Sequence, residues 1–560
     1  MQTSYLGQLL VNKKIITPEQ SAAALNKQKS TGQLLGVVLL ELGFVDEQKV
    51  FFPILAEQCG IPYLDLNNFI IPRGVIEKIP AKLALHYKII PVSLDKNHLV
   101  IATADPLNIQ ILDEIAAEAD CPIKAVLSTE KDILEAIRKF YGVGAETIEK
   151  MMGSAQPTKQ PEQLVSRLDD PGSEATISRF LNQILMEAYQ SRATDIHIEP
   201  YEDELKIRYR IDGVLHNAKI PQDIKHFKDS IVSRIKVLSN LNIAERRTPQ
   251  DGRFKVRAEN IDLDLRVSFL PTQFGEGLVL RILNTAKLYS LEDLGLRPDE
   301  KTILETLIKK QHGIIFLTGP TGSGKTTTLY SCLSKINTED HKILTIEDPI
   351  EYQLKGIMQI QINPGVGLTF AKGLRSMLRH DPDIMMIGEV RDTETAQIAV
   401  QIALTGHLVF STLHTNDAAS GVARLLDMGV EPYLITSTVE CFIAQRLIRV
   451  ICPHCKQISK EPLEGFKDQA EGKPVIIYEG KGCEKCSHTG FFGRQAIYEF
   501  LLIDDHIRKL VLERTSAERI REAAIINGMK TLLHSGWEKV KAGITTPQEI
   551  LRVASQDKID

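Results

Sequence analysis

The sequence predicts a multidomain α/β protein, and three observations carry that reading. The apolar run Gly313–Leu317 leads into Gly319-Pro320-Thr321-Gly322-Ser323-Gly324-Lys325-Thr326-Thr327 and then a helical stretch, so strand, glycine loop and helix follow one another. Alternating strand and helix signals fill residues 174–291 and continue from 313 to about 447. Two close C-x-x-C pairs, Cys452/Cys455 and Cys483/Cys486, come after the second block.

The 560 residues leave room for about three or four domains. A hydrophobic share of 43% with 25% charged residues describes globular material with a sizeable core. The net charge of −5 gives no global attraction to nucleic acid or to an anionic membrane. Residues Met1–Leu10 lack the charged and apolar regions of a secretory leader, and no apolar run approaches the roughly 20 residues that span a bilayer. Cys59, Cys121, Cys332 and Cys441 are scattered, which suits a reducing compartment with one metal site at the paired cysteines.

Taken in order, residues 1–60 hold a helical repeat. Leu6-Gly7, Ile15-Ile16, Leu25 and Gln28 return as Leu35-Gly36, Phe44-Val45, Leu55 and Gln58. Residues 61–141 read as a small α/β unit, with strands at Ile89–Val92 and Leu99–Thr103 and helices at Ile109–Glu118 and Glu130–Tyr141. Residues 142–173 are poor in large apolar side chains and read as a linker. The 174–291 block opens on the amphipathic stretch Ile177–Tyr189. Its strands are signalled at Asp195–Glu199, Glu204–Ile211, Gly252–Val256, Ile261–Phe269 and Gly277–Ile282. Residues 292–447 form the block around the glycine loop, 448–495 the cysteine-pair subdomain, and 496–560 a helical C-terminal region.

Each part of the loop has a physical task. The glycines let backbone N–H groups turn toward phosphates, Lys325 reaches the β- and γ-phosphates, and the Thr326 hydroxyl suits Mg²⁺. Three further segments fit one nucleoside-triphosphate site. Ile343–Ile346 runs into the acidic Glu347-Asp348-Pro349-Ile350-Glu351, and Ile384–Ile387 into Gly388-Glu389; carboxylates at strand ends beside such a loop can order Mg²⁺ or a water. In the third, Leu408–Leu413 lies between His407 and His414, and His407 can sense a γ-phosphate or couple hydrolysis to movement. Spacing does not say which carboxylate is the base. Each C-x-x-C turn presents two sulfurs, and two turns complete a tetrahedral Zn²⁺ shell of structural type. The 27-residue gap between Cys455 and Cys483 exceeds the common spacing of about 15–20 and predicts a small insert.

The loop at Gly319–Thr326, the acidic box Thr345–Glu351, Leu378–Asp392 and Thr405–Asn416 together resemble the secretion ATPases of type II secretion and type IV pilus assembly. The run Thr369–Asp392 with Asp427–Pro432 is nearer the type II branch. The resemblance implies a P-loop RecA-like ATPase core preceded by a PAS-like α/β domain. It implies a homohexamer that binds ATP and Mg²⁺, with a tetracysteine zinc subdomain. It also implies a cytoplasmic motor that meets the inner membrane through platform proteins. Carried over by position, Glu351 matches the catalytic glutamate of the acidic box, Glu389 the Walker-B glutamate, and His407 and His414 the histidine box. Arg266 and Arg281 match arginines brought to the nucleotide by domain closure, and Arg375 and Arg379 others near that interface.

The N-terminal repeat resembles the cyclic di-GMP-binding domain of some members. Those copies carry an arginine before the Leu-Gly pair, where this sequence has Tyr5 and Leu34, and Lys14 replaces a glycine. Losing both cations argues against cyclic di-GMP and for docking on a membrane platform. A nucleic-acid translocase is disfavoured by the charge and by the lack of a basic–aromatic stretch. A non-hydrolysing scaffold is disfavoured by the presence of both Glu351 and Glu389.

Overall fold

The computed structural model describes residues 10–11, 13, 15–31, 35–45, 52–53, 56, 60–66, 69–106, 108–142, 147, 171–258, 261–283, 289–459 and 476–554. Of the N-terminal comparison, Tyr5, Lys14 and Leu34 lie outside these residues. The chain divides into two compact units, 1–190 with 195–209 and 215–281, and 282–560 with 191–194 and 210–214.

In the first unit, helices Pro18–Thr31 and Leu35–Glu41 bury Leu10, Ile16, Ala24, Leu35, Val38 and Leu39 in a small cluster of their own. The α/β segment after it builds a three-stranded sheet. Strand β1 (Ile89–Asp95) pairs antiparallel with β2 (His98–Thr103), which pairs parallel with β3 (Ile123–Leu127). Helices Ile109–Ala119 and Glu130–Tyr141 flank the sheet, and Thr129 caps the second by accepting from the Asp132 amide at 3.0 Å. The third strand was not foreseen, because Ile123-Lys-Ala-Val-Leu127 is short and half exposed.

Helix Pro171–Gln190 precedes six further strands: β4 (Ala193–Pro200), β5 (Leu205–Ile211), β6 (Val214–Asn217), β7 (Gln250–Ala258), β8 (Ile261–Thr272) and β9 (Gly275–Leu283). They form one sheet in the order β6-β5-β4-β9-β8-β7. In β5 every second residue is buried, from Leu205 through Ile207 and Tyr209 to Ile211, as a sheet with one covered face requires.

The second unit is a seven-stranded sheet. Its strands are β10 (Gly313–Thr318), β11 (Ile343–Glu347), β12 (Met358–Gln361), β13 (Ile384–Ile387), β14 (Leu408–Leu413), β15 (Val439–Ile451) and, after the hairpin β16 (Lys456–Ile458) and β17 (Tyr478–Gly480), β18 (Phe491–Leu502). The spatial order is β12-β11-β13-β14-β10-β15-β18, parallel from β12 to β15, with β18 antiparallel at the edge. Every residue of β10, β11, β13 and β14 is buried, which explains why these segments read as unbroken apolar runs. Alternate residues feed two cores. Ile314, Phe316, Leu344, Ile346 and Val409 join one, while Ile315, Leu317, Ile343, Met386 and Phe410 join the other.

The structure corrects the boundaries drawn at 447/448 and 495/496. Strand β15 runs on to Ile451, and residues 496–502 belong to β18 rather than to a helical tail. The cysteine subdomain is therefore an excursion between two paired strands of the core sheet, and helices begin only at Asp505.

Candidate functional site

A phosphate loop needs a backbone that can turn its amides inward, and the sequence supplies this at the C-terminal edge of β10. Gly319 and Gly324 take φ of 149° and 88°. A Cβ at Gly319 would stand 2.6 Å from the Gln445 carbonyl oxygen, and one at Gly324 would stand 2.8 Å from Gln445 Nε2, so side chains are excluded at both. Gln445, buried in β15, donates from Nε2 to the Ser323 carbonyl at 2.9 Å and ties the loop to the neighbouring strand. Helix Lys325–Ile336 starts directly behind the loop. Lys325 Nζ donates to the carbonyls of Gly319 at 2.6 Å and Pro320 at 3.1 Å, so the ammonium is folded back along the loop it serves. Burial, and then the nearby Arg446 charge, lower its pKa to about 8 against an opposing pull from Glu389. Pro320, Thr321 and Gly322 are exposed, Thr326 and Thr327 half-buried, and buried Ser323 Oγ has no hydrogen-bond partner among the described residues. The loop fits a nucleotide phosphate chain: a folded-back ammonium, an orphaned hydroxyl and a positive helix end share one edge.

The neighbouring strands β13 and β14 end at the same edge. Glu389, two residues past β13, accepts from Arg391 Nη2 at 2.6 Å and faces His414 Nε2 at 3.2 Å. Its side chain is 12% exposed, so a carboxylate, an imidazole and a guanidinium meet in a half-closed place beside Lys325. Beyond β11 the acidic box separates by burial. Glu347 is buried and accepts from the Tyr330 hydroxyl, from Thr345 Oγ1 at 2.6 Å and from Gln359 Nε2 at 3.1 Å. These donors occupy both of its oxygens, so Glu347 is a structural acceptor rather than a ligand for metal or water. Glu351 follows the cis Asp348–Pro349 bond and is half-buried.

Not every expected residue joins this edge. His407 precedes β14, and its carbonyl accepts from the Gly313 amide at 3.1 Å at the start of β10. The P-loop edge is the other end of that pair, at Thr318↔Leu413, ~17 Å away along the strands. His407 Nδ1 instead meets the Ile402 carbonyl at 2.9 Å and Thr405 Oγ1 at 3.1 Å, so within one chain it is not beside the loop. Arg379 lies in the turn leading to the start of β13, with Nη1 donating to the Arg375 carbonyl at 2.8 Å. Arg375 forms an exposed ion pair with Glu394 at 2.7 Å. Arg266 and Arg281 both belong to the first unit, on β8 and β9. Arg281 Nε donates to Asp195 Oδ1 at 2.9 Å.

Cys452, Cys455, Cys483 and Cys486 converge, with all four sulfurs within 4.8 Å of one another. The Cys452–Cys483, Cys455–Cys486 and Cys483–Cys486 separations are 3.8, 3.9 and 3.8 Å. A tetrahedron with metal–sulfur bonds of about 2.3 Å has edges of about 3.8 Å, so the donor set fits a tetrahedral thiolate-bound ion. The Gly482 amide points at Cys455 Sγ at 3.3 Å and the Cys483 amide at Cys486 Sγ at 3.2 Å, as thiolates require.

Sequence reasoning missed Gln445, Arg446 and Tyr330. Arg446 Nη2 donates to the Asn416 carbonyl at 2.6 Å, joining β15 to the segment after His414. The available signal was the Gln-Arg dipeptide that interrupts the apolar stretch Cys441–Ile448 of β15. Tyr330 sits mid-helix and reads as core.

With this geometry in place, the chain matches the family described as type II/IV secretion system protein over residues 170–552, and the MshEN domain over 59–147. The second match covers the small α/β segment rather than the helical repeat. The chain is 39% identical to the type IV pilus assembly ATPase PilB of Myxococcus xanthus, over 99% of each chain. It is 40% identical to the type II secretion system protein E of Xanthomonas campestris pv. campestris, over 94% of each. A solved structure of the Legionella pneumophila ATPase DotB aligns with 68% of this chain and 96% of its own at 24% identity and a TM-score of 0.50, a likeness of fold. Among the described residues no helix is long and apolar enough to cross a membrane.

Proposed function

The chain belongs to the type II/IV secretion system protein family, is an ATP hydrolase of it, and from that premise we propose a cytoplasmic hexameric motor that drives pseudopilus assembly and protein export by a type II secretion system. The observation that carries the reading is the common edge of β10, β13 and β14, where Lys325, Glu389 and His414 are brought together. Assembly of a type IV pilus is the second reading, favoured by the match over 99% of both chains to a pilus assembly ATPase.

In this mechanism the P-loop amides and Lys325 hold the triphosphate, and Thr326 and Glu389 would hold Mg²⁺, which would supply positive charge against the phosphates. Glu351 orients and deprotonates the attacking water. His414 keeps Glu389 in place and, through that contact, links the γ-phosphate to β14. Arg266 and Arg281 reach the nucleotide when the first unit closes on a P-loop of the ring and supply charge there. Arg375 and Arg379 act at the same subunit boundary, and His407 acts there too, since its own chain keeps it at the opposite sheet edge. Such closure converts turnover into displacement of a platform protein at the inner membrane. The four cysteines hold a structural Zn²⁺. The N-terminal segment docks on that platform, with cyclic di-GMP disfavoured by Tyr5 and Leu34 in place of arginines.

The test is ATPase activity against oligomeric state, for the wild type and for Glu351→Gln and Arg266→Ala. Activity is expected to rise with hexamer formation and to fall by at least about 100-fold in Glu351→Gln and about tenfold or more in Arg266→Ala. Full turnover by the monomer, or wild-type rates in both variants, would overturn the motor reading.

A further inference from the structure

The acidic loop that carries Glu351 is not held by its own backbone alone. Its first turn rests on the P-loop helix through one side chain, Tyr330, which is fully buried five residues after Lys325. The Tyr330 hydroxyl donates to Glu347 at the end of β11, and the Glu351 backbone amide reaches the same hydroxyl. Its ring packs edge-on against Tyr352, with centroids 4.5 Å apart and planes at 79°. Gln359 on β12 closes the other side. Its Nε2 donates to Glu347 Oε1 at 3.1 Å and to the Tyr352 carbonyl at 3.2 Å, while its Oε1 accepts from the Leu354 amide at 2.8 Å. The box around Glu351 is thus pinned at Glu347, Glu351, Tyr352 and Leu354, and the first three of those pins end on the helix that starts at the phosphate-binding lysine.

We propose that Tyr330, with Glu347 as its buried acceptor and Gln359 as a brace, is a positioning device that fixes the Glu351 loop to the P-loop helix, so that the carboxylate and the phosphates move as one body. The inference rests on Glu351 being the catalytic glutamate. Four properties support it over simple core filling. A tyrosine in an apolar interior needs a partner for its hydroxyl, and this one spends it on the acidic box rather than on its own helix. Glu347 gives up both oxygens to three donors, a costly arrangement in a buried place unless each donor is held. Gln359 uses its amide on both sides, as donor and acceptor. The network also spans three elements, helix 325–336, β11 and β12, and the loop is the segment that joins the last two. Phenylalanine at 330 would fill the same volume and still leave Glu351 without its tether.

The experiment compares Tyr330→Phe, Gln359→Leu and Glu351→Gln as full-length protein at matched oligomeric state, reading kcat, KM, the affinity for a fluorescent ATP analogue, and hydrogen exchange. Glu351→Gln is expected to abolish turnover with binding intact. Tyr330→Phe is expected to lower kcat about tenfold at unchanged KM and unchanged analogue affinity. It should also speed amide exchange across residues 349–354 while leaving helix 325–336 protected. Gln359→Leu should repeat the pattern. A structural role alone would lower the melting temperature of Tyr330→Phe and leave kcat at wild-type level below that temperature, which would overturn the proposal. A rise in KM at constant kcat would overturn it as well. If Glu351→Gln itself turns over normally, the catalytic reading of Glu351 fails first, and the loop exchange data then decide whether the tether exists.

Discussion

Raising the pH from about 7 to about 9 should weaken nucleotide binding about tenfold, through one group. Lys325 is buried behind Gly319 and lies near Arg446, and both effects lower its pKa to about 8. Triphosphate binding needs the ammonium. Above pH 8 each further unit removes about nine-tenths of the remaining charged form, so the Kd should rise by one decade per unit and binding should take up close to one proton. A fluorescent-nucleotide titration across this range at constant ionic strength gives the slope. Calorimetry in two buffers of different ionisation enthalpy counts the proton. Arg446→Gln removes one of the depressing charges and should move the break upward in pH. Unfolding would not imitate the effect. A lysine whose folded pKa is depressed makes the folded state more stable as the pH rises from 8 toward the unfolded value, so this group opposes denaturation over the window in which affinity falls. A flat Kd to pH 9, or a break near the ordinary lysine value, would refute the reasoning.

Two further outcomes follow from buried chemistry in the second unit. Glu549 is buried against β15, where it accepts from the Arg449 amide and guanidinium at 2.8–3.0 Å and from Arg552 at 2.6 and 2.9 Å. Glu549→Ala leaves the part-buried Arg449 amide and guanidinium without their acceptor, while the exposed Arg552 turns to water, and should cost about 1–3 kcal/mol in denaturant unfolding. Burial pushes this carboxyl up, but Arg552 and Arg449 outweigh it and hold the pKa below the usual range. Its contribution is therefore present above pH ~4.3 and lost as the pH falls through the lower folded value. The four cysteines should retain about one zinc per chain on elemental analysis. Cys483→Ser should release it and lower the melting temperature, whereas four freely titrating thiols in metal-free protein of unchanged stability would rule the site out.

The strand–loop–helix at Gly313–Ile336 was legible because its three signals are local: a buried apolar run, glycines at fixed offsets and a lysine opening a helix. The cysteine site was legible for the same reason. The pairing of β18 with β15 was not, since Phe491–Leu502 contains Gly493, Arg494 and Gln495, and its partner lies across the cysteine excursion. Composition likewise cannot separate Glu347 from Glu351. Both are glutamates in one acidic run, and only the approach of Tyr330, Thr345 and Gln359 makes the first a buried acceptor. The two histidines were separable in principle, because the six residues of β14 between them form a strand and must put His407 and His414 at opposite ends of it.

The course of β15 dictates where this protein can change length. Gln445 grips the P-loop from within β15 and Cys452 opens the metal knuckle one residue past its end, and β18 keeps register with the strand from Cys441↔Leu502 to Arg449↔Arg494 before the pairing shifts ahead of Ile451. Side chains along a strand alternate sides, so gaining or losing one residue between Gln445 and Cys452 would turn one of them to the wrong face. The hairpin of β16 and β17 is different: it sets Ile458 beside Tyr478, so the two ends of the connection between them are adjacent. Extra residues there would cost loop entropy that grows only slowly with length. That connection is the place to splice in a fluorescent domain, and a single-residue deletion in β15 is the change the motor should tolerate least.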